Sequence, residues 1–153
     1  MGVAKHNPVE EVLAMLPAGL FLMTAAYEGK RAGHIVRSVQ VCSEIPVLIC
    51  VAARKGHSIA PLIRDSHRFA ICIIPQAESP MLKRFEMEIA PDEMGDTFDA
   101  LSVETLKSQS PIPKRSLAAL DCEVVRHFDL EADHELFIGS PIAARVYRSN
   151  PSA

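Results

Sequence analysis

The sequence predicts a mainly β fold: an antiparallel barrel of about six strands with short peripheral helices. Apolar segments of strand length recur along the chain, and tight polar turns join several neighbouring ones. The regular alternation of strands with longer helices that builds a doubly wound parallel sheet is absent. The predicted strands are residues 19–27, 32–41, 47–53, 68–75, 117–128 and 135–147.

Short helices and turns are predicted between these strands from capping residues, proline and glycine. The first helix begins at Asn7-Pro8, an N-cap followed by a first-turn proline, and stops at Pro17. A second helix begins at Ser58, and residues 79–88 form a third. Turns are predicted at residues 28–31 and 129–133, and an irregular region at 90–115 with a helical turn near 98–106.

Composition indicates one globular domain over residues 1–153, without a nucleic-acid or membrane partner. Hydrophobic residues make up 48% of the chain and charged residues 23%, enough for one sizeable core. The net charge of −3 and the absence of Trp argue against a polyanion partner and base-stacking surfaces. The longest uncharged run, residues 12–27, is shorter than the roughly 20 residues that span a bilayer. We therefore expect a soluble cytoplasmic protein.

Motifs for metal binding, disulfides and side-chain nucleophiles are missing. The six histidines form neither H-x-x-x-H nor H-E-x-x-H, so no metal site is predicted. No G-x-S-x-G elbow and no G-x-G-x-x-G loop occurs. No cysteine pair has C-x-x-C spacing, which predicts free structural thiols. These are Cys42, Cys50, Cys72 and Cys122.

The basic loop at residues 54–58 is the best local signal for a binding site. It reads Arg54-Lys55-Gly56-His57-Ser58, follows a buried strand and opens a helix. The free amides of a first helical turn, with two cations and a hydroxyl nearby, suit a phosphate dianion. The alternative is a solvated basic turn in which Ser58 is a routine cap.

A second candidate is His134, which follows Asp133 where a turn enters the last predicted strand. At such a junction a side chain can face a cleft, where an imidazole can bind or orient a substrate. The alternative is an exposed residue that only shapes the turn.

Several segments, in order along residues 12–147, resemble those of the flavin reductase-like family. Residues 17–19, Pro-Ala-Gly before an apolar strand, resemble the family's F-P-T-G-V opening, and residues 33–41 resemble its G-x-x-V-[NS]-[ST]-x strand. The other matching segments are Ser-Glu-Ile-Pro at 43–46, Arg-Phe-Ala-Ile at 68–71, the strand 117–124 and Asp-His-Glu-Leu-Phe-Ile-Gly at 133–139.

The resemblance implies a split β-barrel that binds FMN, in some members FAD, and transfers a hydride from NAD(P)H to flavin N5. It places His134 near the flavin face where the nicotinamide docks. It implies that the isoalloxazine and ribityl chain lie along Arg37, Ser38, Val39 and Gln40, and that the phosphate is bound by Arg54, Lys55, Gly56 and Ser58.

The resemblance also implies a homodimer that delivers electrons to a partner monooxygenase or another acceptor. Independently, strands 47–53 and 68–75 are apolar on both faces, more than one small barrel easily buries. Two alternatives remain open: an FMN electron carrier similar to flavoredoxin, and a dimeric barrel without cofactor. The second is suggested by Arg37, which stands where the family usually has Asn or Ser.

Overall fold

The computed structural model describes residues 7–86 and 96–148 and is built mainly of antiparallel β-strands. The helices are α1 (Pro8–Met15), α2 (Ile59–Ser66) and α3 (Ser79–Leu82), with 3-10 turns at Gln76–Glu78, Lys83–Phe85 and Thr97–Ala100. The strands are β1 (Phe21–Tyr27), β2 (Lys30–Val36), β3 (Val39–Glu44), β4 (Val47–Arg54), β5 (Arg68–Ile73), β6 (Val103–Glu104), β7 (Ile112–Pro113), β8 (Ala118–Asp129) and β9 (His134–Val146).

The main sheet has seven strands in the order β2-β1-β5-β8-β9-β4-β3. Neighbouring strands pair antiparallel, and β6 and β7 form a separate small sheet. The predicted mainly β, antiparallel class with short helices is therefore confirmed. The main sheet contains one strand more than the prediction because the segment 32–41 is divided in two.

That division falls at Arg37 and Ser38, and it corrects the predicted single strand 32–41. The Arg37 carbonyl accepts a hydrogen bond from the Gly19 amide at 3.0 Å, while the Ser38 carbonyl accepts one from the Ala52 amide at 3.2 Å. The chain thus leaves the β1 side of the sheet and joins β4 within two residues, so one continuous segment forms both sheet edges. The polar pair Arg37-Ser38 interrupts the alternation at the corner, but such a break does not by itself identify a change of pairing partner.

Two hydrophobic cores lie on the two sides of the sheet, and β5 contributes to both. Phe69 and Ile71 belong to the core covered by α2, and Ala70 and Cys72 belong to the core that also contains Leu82, Phe85 and Phe98. Both apolar faces of β5 are therefore covered within the chain at these residues. In β4, buried Ile49, Val51 and Ala53 alternate with half-exposed neighbours, so only one of its two apolar faces is fully covered.

The other predicted elements lie close to their expected positions. Asn7 caps α1 through its side chain, which accepts from the amides of Val9 and Glu10. The predicted third helix is a short α-helix continued by a 3-10 turn to Phe85, and its last residues, 87–88, lie outside the described ranges. The helical turn expected near 98–106 is the 3-10 turn Thr97–Ala100, after which the chain enters β6.

Within residues 7–86 and 96–148, no helix is long and apolar enough to cross a membrane. The same ranges contain no group of three or more His, Cys, Asp or Glu side chains arranged to hold a metal ion. The four cysteines are free thiols. Burial raises the pKa of both Cys72 and Cys122 to about 12, so these two thiols stay protonated at physiological pH.

Candidate functional site

The basic loop 54–58 connects the end of β4 to the start of α2. Gly56 has a φ of +84°, a left-handed conformation that favours glycine. Nothing lies within 4 Å of the point where a Cβ would stand on Gly56, so open space surrounds it. The Gly56 amide makes no hydrogen bond within the described part of the chain. This amide is therefore a candidate donor for an anion.

The first-turn amides of α2 were expected to be free for a phosphate, but His57 already accepts from two of them. The His57 Nδ1 atom accepts from the Ile59 amide at 3.0 Å, and the His57 carbonyl accepts from the Ala60 amide at 3.1 Å. Ser58 stands at the N-cap position but makes no capping hydrogen bond with its side chain. An anion at this loop would therefore meet Gly56 and the cationic side chains rather than the helix end.

Both cations of the loop are exposed, and acidic groups of the β8–β9 hairpin lie beside them. Lys55 Nζ lies 2.5 Å from Asp129 Oδ1, and the Lys55 amide donates to the Asp133 carbonyl at 2.9 Å. The Lys55 ammonium holds the pKa of Asp129 below its usual range, chiefly through this hydrogen bond. The hairpin thus fixes the loop and supplies a counter-charge to Lys55.

His134 is the first residue of β9 and pairs directly with Arg54, the last residue of the neighbouring strand β4. Its Nδ1 atom lies 2.8 Å from Asp133 Oδ1, and its side chain is 41% exposed. The hydrogen bond from His134 keeps the pKa of Asp133 low, so this carboxylate is ionised and can only accept. Nδ1 therefore carries the proton, and its hydrogen bond to Asp133 orients the ring. The prediction placed His134 at this junction correctly, and its role remains a prediction.

The corner 37–40 lies alongside the same strand, β4. Val39 pairs with Val51 and Gln40 pairs with Cys50, in a register that runs toward Arg54. The side chains of Arg37, Ser38 and Gln40 are exposed, whereas Val39 is half-buried. The structure therefore brings the corner, the basic loop and His134 to one strand. The local patterns indicated the loop and His134 one by one, and only the family resemblance implied that they lie around one flavin together with the corner.

Two residues that were not among the predicted contacts also shape this site. The rings of His34 and His57 stack with centroids 4.1 Å apart, and His34 Nε2 accepts from the Arg54 amide at 3.1 Å. The predicted basic loop includes His57, but nothing in the sequence indicated that this residue caps α2. The pairing with His34 depends on the tertiary fold.

The buried carboxylate of Glu135 connects α2 to the hairpin behind the site. Glu135 is 1% exposed, and its Oε1 lies 2.5 Å from His127 Nε2 and 3.5 Å from Arg64 Nη2. Its Oε2 has no hydrogen-bond partner among the described residues. The sequence places Glu135 in a strand that alternates in burial, yet the partners of its side chain come from two other elements.

The fold and the site thus define an antiparallel β protein that has a basic loop, a sheet corner and a histidine along one strand. Comparison with known proteins shows the family to which it belongs. Residues 13–153 match the flavin reductase like domain, and the chain belongs to that family.

The ferric-chelate reductase (NAD(P)H) of Archaeoglobus fulgidus is 25% identical over 141 residues, covering 90% of this chain and 81% of that protein. Diflavin flavoprotein A 1 of Synechocystis sp. is 24% identical over 143 residues, covering 94% of this chain. The chain spans only 25% of the length of that flavoprotein.

Among solved structures, nitrilotriacetate monooxygenase component B from Mycobacterium thermoresistibile superimposes with a TM-score of 0.80 at 25% identity, covering 94% of this chain and 77% of that chain. Flavoredoxin from Methanosarcina acetivorans superimposes with a TM-score of 0.78 at 18% identity, covering 99% of this chain and 82% of that chain. This similarity shows a shared fold. The predicted family and fold class are confirmed. The individual flavin contacts and the choice between FMN and FAD remain predictions.

Proposed function

We propose that this protein binds FMN and reduces it with NAD(P)H, as a flavin reductase. The meeting of the corner 37–40, the loop 54–58 and His134 along β4 carries this proposal. FAD, which shares the first phosphate and the isoalloxazine, is the second flavin to test.

The loop residues fit a flavin phosphate. Gly56 is exposed and offers an amide without a hydrogen-bond partner among the described residues, while Arg54 and Lys55 add two exposed cations. Charge-assisted hydrogen bonds to phosphate are the strongest that such a shallow site can offer. Ser58 is half-buried at the end of the loop, where its hydroxyl is a further candidate donor. Lys55 would exchange Asp129 for the phosphate when the flavin binds.

The corner residues suit the flavin ring and its ribityl chain. Arg37, Ser38 and Gln40 carry exposed polar side chains, and Val39 adds an apolar contact beside β4. Exposed donors in a corner suit the ribityl hydroxyls and the polar edge of the ring. Arg37 extends this set with a fixed positive charge.

Bound flavin supplies an N5 atom that accepts a hydride from C4 of the nicotinamide. The protein's part is to bind and orient both partners. His134, held by Asp133, presents the edge of a positioned imidazole next to Arg54. A group so placed can hydrogen-bond the nicotinamide carboxamide and orient the donor.

The test is removal of the loop cations by Arg54→Ala together with Lys55→Ala. Each charge-assisted contact contributes about 1.5–3 kcal/mol, so we expect the FMN dissociation constant to rise tenfold or more. Riboflavin, which lacks the phosphate, should bind with nearly unchanged affinity. Both constants can be measured by quenching of flavin fluorescence. Lys83→Ala with Lys107→Ala removes the same charge from exposed positions elsewhere and serves as the control.

Equal weakening of FMN and riboflavin would show that the loop does not contact the phosphate. The wild type also separates the alternatives. Bleaching of bound flavin by NADH or NADPH indicates a reductase, and flavin binding without bleaching indicates a carrier. Lack of flavin binding at all would leave a barrel without cofactor.

We further propose that the protein is a homodimer. None of the residues of α1 is buried in the single chain, and Val12, Leu13 and Met15 are more than half exposed. The edge strand β3 and its turn add Val41, 65% exposed, and Ile45, 95% exposed. Exposed apolar surface of this extent is typical of a protein interface. The outer face of β5 is covered within the chain, so β3, β4 and α1 support the dimer.

We propose a cytoplasmic location and an external electron acceptor. The four free thiols are typical of a reducing compartment. The similarity to component B of a monooxygenase supports a partner monooxygenase as that acceptor. Reduced flavin or electrons would leave this protein for the oxygenase. A coupled assay with candidate oxygenases tests this partner.

A further inference from the structure

The stacked imidazoles of His34 and His57 lie between β2 and the loop that follows β4. The ring planes are inclined by 31°, and His57 is 8% exposed. His34 belongs to β2, whereas His57 belongs to the loop 54–58. The stack therefore joins the proposed phosphate loop to the sheet.

His34 continues a hydrogen-bond ladder by means of its side chain. The Ala52 amide donates to the Ser38 carbonyl, the last acceptor that the corner presents to β4 in this direction. Two residues further along β4, the Arg54 amide donates to His34 Nε2 at 3.1 Å. The imidazole replaces a missing carbonyl and fixes the point where the loop begins.

His57 performs the corresponding task at the other end of the loop. Its Nδ1 accepts from the Ile59 amide, and its carbonyl accepts from the Ala60 amide, so one residue caps α2 twice. Since the two rings also stack, the start and the end of the loop are held by one pair of side chains.

We propose that His34 and His57 are positioning residues that hold the loop 54–58 in its anion-binding shape only while both imidazoles are neutral. An imidazolium carries N–H groups on both nitrogens and cannot accept from a backbone amide. Two stacked imidazolium rings would also repel each other. The proposal rests on the proposed function and deepens it, since flavin affinity would fall on acidification by more than phosphate protonation explains.

The charges around the stack are mixed, and the carboxylates of the hairpin do not titrate near neutral pH. Lys55 and His134 hold the pKa values of Asp129 and Asp133 below their usual range, so both stay ionised as the pH falls toward that range. An imidazole titration is therefore distinct from theirs. Among the residues that the structure describes, the charged and titratable groups on the surrounding elements are Arg37 at the corner, Arg54 and Lys55 on the loop, Asp129, Asp133 and His134 on the hairpin, Arg64 and Asp65 on α2, and Tyr27, Glu28 and Lys30 at the β1–β2 turn.

The test replaces each histidine by a residue with a side-chain amide, whose oxygen can take the place of the imidazole nitrogen that accepts the hydrogen bond. His34→Gln places an acceptor near Nε2, and His57→Asn places one near Nδ1, so both hydrogen bonds survive without a titratable ring. FMN affinity is measured at about pH 8 and about pH 5.5, either side of the imidazole pKa near 6.5. Loss of the phosphate dianion alone, with a second pKa of about 6, weakens binding about fourfold.

We expect the wild-type FMN dissociation constant to rise about thirtyfold or more, because one imidazole adds about tenfold over this interval. The FMN dissociation constant of the double variant should rise only about fourfold, the effect of phosphate protonation alone. Riboflavin should be nearly indifferent to pH in both proteins. His67→Asn, which replaces an exposed histidine in a left-handed conformation that Asn tolerates, should keep the wild-type profile.

A wild-type profile that follows the phosphate alone, or an equally steep profile in the double variant, would overturn the proposal. A readout without flavin keeps this separate from the proposed function. The amide NMR signals of Arg54 and Ile59 should shift as the pH falls in the wild type but not in the double variant. If these signals do not respond, the positioning role is wrong even when FMN binds. If FMN does not bind but they respond, only the proposed function fails.

Discussion

At the scale of the single residue, His134 is the side chain most directly open to test. Its Nδ1 is bound to Asp133, so the ring is oriented before any substrate arrives. We expect His134→Ala to leave the FMN dissociation constant within about twofold and to slow single-turnover reduction by NADH about tenfold or more, since a lost positioning group acts on the hydride step. Stopped-flow absorbance and fluorescence titration measure the two quantities.

Asp133→Asn is the matched variant for this test. Its amide keeps an oxygen that can accept from Nδ1 but lacks the negative charge, so the loss of rate should be smaller than in His134→Ala. Unchanged reduction in His134→Ala would assign His134 to the turn. A large loss of FMN affinity would make it a flavin contact instead.

At the scale of the element, the β8–β9 hairpin competes with an incoming phosphate for Lys55. Asp129 holds that ammonium, and its own pKa is lowered, so the pair persists above the usual aspartate range and is lost only as the pH falls through the lowered value. Asp129→Asn should therefore strengthen FMN binding about two- to fivefold at neutral pH, the range expected for releasing an exposed ion pair. The asparagine oxygen still accepts from the Glu131 amide, so the turn is retained.

Two comparisons check this prediction at the hairpin. The gain should shrink at high salt, because exposed charges are screened. It should vanish in the background of Lys55→Ala. An equal gain in that background would show that Asp129 does not act through Lys55.

At the scale of the whole molecule, the unburied α1 and the β3 edge predict a dimer of about twice the 16.7 kDa chain. Light scattering at micromolar concentration measures this mass. Val12→Asp with Leu13→Asp should yield a folded monomer, since both side chains are 57% exposed in the single chain. Val146→Asp, at a position 73% exposed at the end of β9, is the control and should remain dimeric. A monomeric wild type would contradict the proposal.

Local patterns were sufficient for most of the secondary structure. The cap at Asn7, the alternation along β8 and β9 and the polar turn before His134 all depend on neighbours within a few residues. The basic loop was also visible, because cations, a glycine and a serine stand together between a strand and a helix. Propensity, periodicity and capping act over such short distances, so one sequence suffices to read them.

The tertiary structure decided which of these elements meet. The corner at Arg37 and Ser38 exists because β2 pairs with β1 while β3 pairs with β4, and two adjacent polar residues do not by themselves identify that change of partner. Lys55 meets Asp129 across 74 positions of sequence, and Arg54 meets the imidazole of His34 across 20. Hydrogen bonds and ion pairs act at a few ångströms in space, so partners distant in sequence are set only when the sheet forms. The sequence alone thus determined the strands and the candidate loop, whereas the fold determined what holds that loop in shape.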